Sequence, residues 1–547
     1  MAARVSCAAS ASGGAHVKSW PLSTKIGLFL LASVALASPV QGAENQKQTE
    51  LFEILLENGS ITQEQYDTLV DSETEPGVDA DGSVGDDASA GDDPSAGAGV
   101  APLPPVSAPG DDTTTAAAAA GASDPVSTSD DGDAGDQQLN ERIANAVARK
   151  IDEDFPVKAS YGDKGFRLET KDGNWQTNLQ WRFQFRLTWP LSGDPLQVSD
   201  FAANEKVTFE NRRLRMKIGG HGYRPWLKYY FEVDLQPSRD SDDSSSNASA
   251  RVIDWRVDVA KFEPLELRVG QWKIGYNRER VDSSGRQEFV ERSIVNRIFT
   301  IDRQVGVSLR GRLFPGTHAD MRYDFGAYTG EGRGVRNDDN NLMYVGRLQW
   351  NFMGRDLKFR QTDVERTEKP TGSIALAAAT TTGKCTRWSS SGCGNLDGYA
   401  SPSVAGQGQF RIHQAVSEIA FKWQGFSFQN ENHWKRVIDR SFATSEARQE
   451  RDLFGLYAQT GYFFNEIFDC VPKELELAFR YAIVREPNET NLLKQNTRQE
   501  FTTAANWFFW GHNNKLTLDY SYLTLDDDVL SRNVSDSRVR LQWDISF

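Results

Sequence analysis

Arginine is the residue type that could do chemistry in this chain, and it is clustered. Between Gly275 and Asp302 stand Arg278, Arg280, Arg286, Arg292 and Arg297, with Arg303 next along. Arg182 and Arg186 lie four apart upstream, and Arg212, Arg213, Arg215 and Lys217 share one short stretch. A guanidinium presents several fixed N–H donors and stays charged, so facing arginines make a site for oxyanions such as phosphate. Carboxylates are also at hand in Glu232, Asp234, Asp254, Asp258, Glu266, Asp320 and Asp324. Paired against these, the same arginines would leave only weak selectivity, and residue types alone leave both readings open. Other chemistry finds less support. His221, His318, His413, His433 and His512 accompany no Gly-x-Ser-x-Gly nucleophile motif, and no Cys/His spacing of the zinc kind occurs. The expectation is a non-enzyme with no metal, no cofactor and no nucleic-acid partner. Cys385 and Cys393, in a Gly/Ser-rich stretch, are expected to form a disulfide in an oxidising compartment.

The elements that must position these side chains read as strands. In the last eleven residues Val539, Leu541, Trp543, Ile545 and Phe547 fall on one face of an extended chain, and Arg538, Arg540, Gln542, Asp544 and Ser546 on the other. Trp175 to Trp189 repeats the pattern, with Leu179, Trp181, Phe183, Phe185 and Leu187 on one side and Gln180, Arg182, Gln184 and Arg186 opposite. Only 39% of the 547 residues are hydrophobic. A membrane helix needs about 20 apolar residues in a row, whereas a transmembrane β-strand shows lipid only every second residue. Period-two segments fall near 175–189, 206–218, 225–235, 252–262, 265–274, 303–314, 319–328, 342–352, 355–362, 411–424, 426–436, 451–464, 474–484, 498–509, 515–525 and 537–547. Connections after odd-numbered segments are long and those after even-numbered ones mostly short, the asymmetry of outer loops and periplasmic turns. The fold expected is all-β: a 16-stranded antiparallel transmembrane β-barrel over 160–547, in contact with outer-membrane lipid. Its third long connection, Gly275 to Asp302, carries Phe289, Ile294 and Ile298 among its arginines and is expected to fold inward. A barrel of this width leaves an aqueous channel, and whatever narrows that channel sets its selectivity.

The segment before the barrel reads differently. Ile26 to Ala37, after Lys18 and Lys25, forms the apolar core of a secretory signal, residues 1–42. A short helical segment is expected over 43–70. Residues 71–138 form a disordered acidic linker, because Asp71 to Asp136 holds 16 acidic residues and no Lys or Arg amid Gly, Ala, Ser and Pro. The net charge of −15 therefore belongs to this tether, and the rest of the chain is nearly neutral. Leu139, Ile143, Val147 and Ile151 mark a short helix over 139–157 that can pair across subunits as a coiled coil.

From Gly165 onward the chain resembles the phosphate-selective porin family (porin O and P). The resemblance is densest at Leu179-Gln180-Trp181-Arg182-Phe183-Gln184 and at Asn211-Arg212-Arg213-Leu214-Arg215 followed by Gly219-Gly220 and Trp226-Leu227-Lys228-Tyr229. It continues at Leu265-Glu266-Leu267-Arg268-Val269-Gly270-Gln271-Trp272, and at Val290-Glu291-Arg292-Ser293-Ile294-Val295 with Arg303-Gln304-Val305-Gly306-Val307. The resemblance implies a homotrimer of 16-stranded barrels with an arginine-built anion eyelet, and a terminal Phe547 read by the barrel-insertion machinery. By match of motif the eyelet arginines are Arg182, the Arg212–Arg213 pair and Arg292; Arg286 and Arg297 complete the candidate set. One departure concerns the inward loop, where strongly phosphate-selective members carry a lysine after a Ser-Ser pair. Here Ser283-Ser284 is followed by Gly285 and Arg286, so Arg286 would supply that charge. The function implied is passive diffusion of small anions, phosphate or polyphosphate among them, across the outer membrane of a Gram-negative-type envelope, with the N-terminal extension in the periplasm. The alternative is a weakly selective general porin that also acts as a periplasmic or cell-wall tether.

Overall fold

Alternation of polar and apolar side chains organises the whole structure. The computed structural model describes residues 150, 157–190, 193–202, 206–235, 250–337, 339–390, 392–441 and 450–547. The signal, the 43–70 helical segment, the acidic linker and the 139–157 helix lie outside these residues, apart from Lys150 and Val157. The strands in chain order are β1 (Val157–Gly162), β2 (Gly165–Thr170), β3 (Gln176–Trp189), β4 (Thr208–His221), β5 (Leu227–Asp234), β6 (Arg251–Phe262), β7 (Leu265–Lys273), β8 (Arg303–Leu313), β9 (Met321–Tyr328) and β10 (Met343–Trp350). They continue with β11 (Thr371–Gly383), β12 (Arg387–Ser389), β13 (Gly392–Gly394), β14 (Phe410–Trp423), β15 (Phe426–Asp439), β16 (Glu450–Tyr462), β17 (Leu475–Pro487), β18 (Gln495–Trp510), β19 (Asn514–Asp527) and β20 (Arg532–Ser546).

β3 to β11 and β14 to β20 pair antiparallel in chain order, and β20 returns to β3 with Val539 opposite Trp189 and Ser546 opposite Arg182. The result is a closed barrel of 16 strands. The hairpin β1–β2 continues the wall where β20 ends, with Phe166 of β2 opposite Leu179 of β3. Outward-facing Trp189, Trp255, Phe325, Leu376, Phe501, Leu518 and Trp543 are exposed, while Arg182, Gln184, Glu431, Arg480, Asp519 and Arg540 are buried on the inner face. Such an apolar exterior around a polar lumen suits lipid outside and water within.

Fifteen of the sixteen expected segments coincide with strands to within a few residues. The exception is 355–362, which is not a strand; the ninth barrel strand is β11. Leu357 and Phe359 imitate period two, whereas β11 centres on Ala375, Ala377, Ala378 and Ala379, residues of weak strand character. Packing explains that composition. Ala377 and Ala379 face inward against the inward loop's apolar side, and larger residues would occupy its space. The connection from β10 to β11 is therefore residues 351–370, a long segment on the side of otherwise short turns. That side is the entry end of the barrel, where β3 begins and Phe547 lies.

Candidate functional site

The third long connection folds into the lumen, as its composition implies, and the wall behind it holds it there. It includes two helical turns, α1 (Arg278–Val281) and α2 (Ile294–Phe299). Irregular backbone inside a membrane must have every polar group satisfied, and here wall side chains do it. Glu418 accepts the Arg278 N–H at 3.0 Å, Glu431 that of Glu279 at 2.7 Å, Asp519 that of Val290 at 3.0 Å and Glu500 that of Ile294 at 2.9 Å. Lys435 donates to the Ile298 carbonyl at 2.9 Å, Asn506 to that of Glu288 at 2.8 Å and Arg480 to that of Glu291 at 3.0 Å. α2 adds apolar contact: Ile294, Val295, Ile298 and Phe299 are buried with Trp388, Leu396, Phe410 and Ile412. Gly455 lets it sit close, since a Cβ there would meet the Phe299 ring at 2.4 Å.

The acids of β14 to β19 are thus engaged by the loop, and its Arg280 and Arg292 are left toward β3 to β8. Glu291 closes one side. Arg186 of β3 holds its carboxylate at 2.8 Å and Arg212 of β4 at 2.9 Å, with Arg213 at 3.4 Å. Burial opposes ionisation of Glu291, but Arg186, Arg212 and Arg213 outweigh it and keep the carboxyl well below the usual range. On the other side a gap of about 30 Å³ remains, lined by Arg212, Arg213, Arg215, Arg251, Lys273, Arg280, Arg292, Arg303 and Arg333, with Asp234 as the lining acid. Further carboxylates stand behind some of these cations. Arg303 is bidentate to Asp254 at 2.9 Å for both contacts, Arg215 meets Glu232 at 2.9 Å and Asp234 at 3.4 Å, and Arg280 pairs with Asp302. Glu210 lies 3.8 Å from Arg212, so among the described residues nine cations face six carboxylates, counting Glu291, and positive charge stays in excess. Among the described residues the Nε atoms of Arg215, Arg251 and Arg280 are buried with no acceptor, and a desolvated donor without a partner is costly unless a ligand or water serves it.

The candidate residues divide. Arg212, Arg213 and Arg292 converge on the gap. Arg212 reaches it through a β-bulge: Gln184 opposes Arg213 and Phe185 opposes Asn211, so Arg212 is the extra residue and two consecutive arginines face inward. Its parity is set by this mid-strand bulge. Arg292 also ties the loop, donating to the carbonyls of Glu279 at 2.9 Å and Asp282 at 2.8 Å, and burial lowers it to about 10.

Arg182 does not line the gap. It is 2% exposed, donates to Ser283 Oγ at 3.1 Å and lies flush against Gly285. Arg286 lines a separate cavity on the entry side, and Arg297 meets Asp397 at 3.3 Å near the outer loop. That outer loop, residues 384–409, carries the β12–β13 hairpin and a Cys385–Cys393 disulfide with Cα atoms 5.6 Å apart. Arg251, Lys273 and Arg333 were not candidates. Lys273 shares parity with outward Leu265, Leu267 and Val269, yet donates inward to the Asp282 carbonyl at 3.3 Å. Arg333 comes from the fourth long connection, and no spacing links it to the others.

Among solved structures the chain is similar to the outer membrane channel DcaP of Acinetobacter baumannii, with 12% identity over 69% of this chain and 99% of that one, at a TM-score of 0.44. It is also similar to an anion-selective porin from Comamonas acidovorans, with 10% identity over 68% and 99%, at 0.42, and to OmpT of Vibrio cholerae, with 8% over 68% and 97%, at 0.43. No curated protein matches the sequence. The family model for phosphate-selective porin O and P matches residues 196–545, a span that takes in β4 to β20 almost whole, the inward loop and all the residues that line the charged gap. The chain belongs to the phosphate-selective porin O and P family, and is an outer-membrane porin.

Proposed function

We propose that this porin passes small anions by diffusion through the gap between the inward loop and β4 to β8, with phosphate-sized oxyanions as its preferred class. The observation that supports this is the excess of cations around a space of about 30 Å³. Holding one water takes about 10–15 Å³ of such space, so only a few waters fit and a passing ion exchanges much of its hydration for guanidinium donors. Arg212 and Arg213 on β4, Arg251 on β6, Lys273 on β7, Arg280 and Arg292 on the loop and Arg303 on β8 supply those donors. The pairs Arg303–Asp254 and Arg215–Glu232 favour a second, weaker reading in which part of the charge is neutralised. Reversal potentials in planar bilayers under a potassium chloride gradient separate the two. Arg213→Ala and Arg251→Ala are expected to lower the anion preference severalfold, and an unchanged reversal potential in both variants would leave the arginine gap without a role.

The same proposal includes a homotrimer embedded in outer-membrane lipid, inserted with Phe547 at the periplasmic end. The N-terminal extension then lies in the periplasm, because the chain enters β3 at the end that carries Phe547. Light scattering of the detergent-solubilised protein tests the trimer.

A further inference from the structure

The connection 351–370 is a second element that enters the lumen, this time from the entry end. It locks onto the inward loop. Arg278 donates to the Lys358 carbonyl at 2.9 Å, Gln361 Oε1 accepts the Glu288 N–H at 2.9 Å, and the Gln361 N–H reaches Asp282 at 3.1 Å. The guanidinium carbons of Arg278 and Arg347 each lie 5.1 Å from the Phe359 ring centre. On the far side Asp363 accepts the Gly425 N–H at 2.8 Å and Arg366 meets Glu466 at 3.1 Å. With Gln361, Thr362 and Asp363 all buried, the segment is a fixed shelf across the channel.

Beneath the constriction, between this shelf, the Val281–Arg286 part of the inward loop and β3 to β7, lies a cavity of about 780 Å³. It shares Arg215 and Lys273 with the gap above, so the two spaces are consecutive. Its acids are engaged: Asp258 by Arg268 at 2.5 Å, Glu232 by Arg215, Asp254 by Arg303 and Asp282 by backbone N–H groups. Its cations Lys228, Arg286 and Lys358 form no ion pair among the described residues. Tyr229, Tyr230 and Phe359 supply aromatic surface. The volume is that of a small-molecule pocket, with charged side chains over much of the wall beside this aromatic patch.

We propose that this cavity binds organic anions in which a phosphate is joined to an aromatic ring, entering from the entry end and lodging below a constriction they cannot pass. Lys228, Arg286 and Lys358 hold the phosphate, and Phe359 with the tyrosines holds the ring. The assignment rests on the gap being the conduction path. The test uses the full chain in planar bilayers, with 4-nitrophenyl phosphate added to either chamber and inorganic phosphate as control. The aryl phosphate is expected to block chloride current from one side only, at a concentration about tenfold below that of inorganic phosphate, equivalent to roughly 1.4 kcal/mol. Lys358→Ala is expected to weaken block by both anions. Phe359→Leu is expected to weaken block by the aryl phosphate and leave inorganic phosphate unchanged. Chloride current with equal block from both sides, or block indifferent to both substitutions, overturns the inner site and leaves the channel standing. Absence of chloride current from the wild-type chain overturns the channel, and the inner site with it.

Discussion

Arg182 and Gly285 meet so closely that one decides the place of the other. A Cβ on residue 285 would lie 2.5 to 2.6 Å from three guanidinium atoms of Arg182, a collision that must be relieved by moving the arginine or the loop. The Gly that interrupts the Ser-Ser-Lys pattern therefore admits Arg182 against the loop backbone. Gly285→Ala is expected to destabilise the assembled barrel by about 1 to 3 kcal/mol, the usual range for overpacking. In an Arg182→Ala background the same substitution should be nearly neutral. Thermal unfolding of the four proteins in this cycle checks it, and strictly additive losses would show that the two residues do not compete for one space. At this scale the arginine-rich segments were legible in the sequence, because charge and local spacing announce them. The members of the gap were only partly so. Arg212 needed a bulge, Lys273 sits on the parity that reads as lipid-facing, and Arg333 arrives from a distant loop. Arg182 and Arg297 carry the right chemistry in places where it meets other protein groups.

The inward loop is held by carboxylates, which ties its stability to pH. Glu279 is fully buried and accepts hydrogen bonds from the Ser293 N–H at 2.7 Å and Ser293 Oγ at 2.9 Å. Burial pushes its carboxyl up to about 7, with Glu431 adding to the rise while Arg480 and Ser293 oppose it. Because the folded value exceeds the unfolded one, the loop gains most below about pH 4.5, loses stability as pH rises toward 7 and changes little above it. Hydrogen exchange of the amides between 278 and 298, corrected for intrinsic rate, is expected to be slower at pH 5.5 than at pH 8. The slope is at most about 1.4 kcal/mol per pH unit. Glu279→Gln should flatten it, and a wild-type profile indifferent to pH would show that Glu279 does not couple to the loop. The loop's inward course was legible from apolar residues that no exposed loop requires. The 351–370 shelf was not, since a buried, hydrogen-bonded loop can imitate strand alternation over eight residues. β11 was hidden for the converse reason: its alanines are chosen by what packs on them.

At the scale of the molecule, closure depends on the seam between the first and last barrel strands. The Phe547 N–H donates to the Trp181 carbonyl at 3.0 Å, the Trp181 N–H donates to the Phe547 carbonyl at 3.1 Å, and the Phe547 and Phe183 ring centres are 6.0 Å apart. Deleting Phe547 removes both bonds where β20 hands over to β2. The fraction of compact, heat-modifiable barrel on unheated gels is expected to fall, with the chain otherwise intact; an undiminished compact band would show that the seam does not need its last residue. Fifteen of the sixteen barrel strands, the side each of them shows to lipid and most of the rhythm of long and short connections were determined by the sequence itself. Lipid and water sort side chains residue by residue, and that sorting leaves a local, period-two record. Which arginines share the channel, which are occupied by Glu291, Asp254 or Asp397, and where the shelf crosses the lumen were decided only by the tertiary structure. Those outcomes depend on bulges, on wall acids satisfying a loop from across the barrel and on contacts between segments hundreds of residues apart, none of which local alternation encodes.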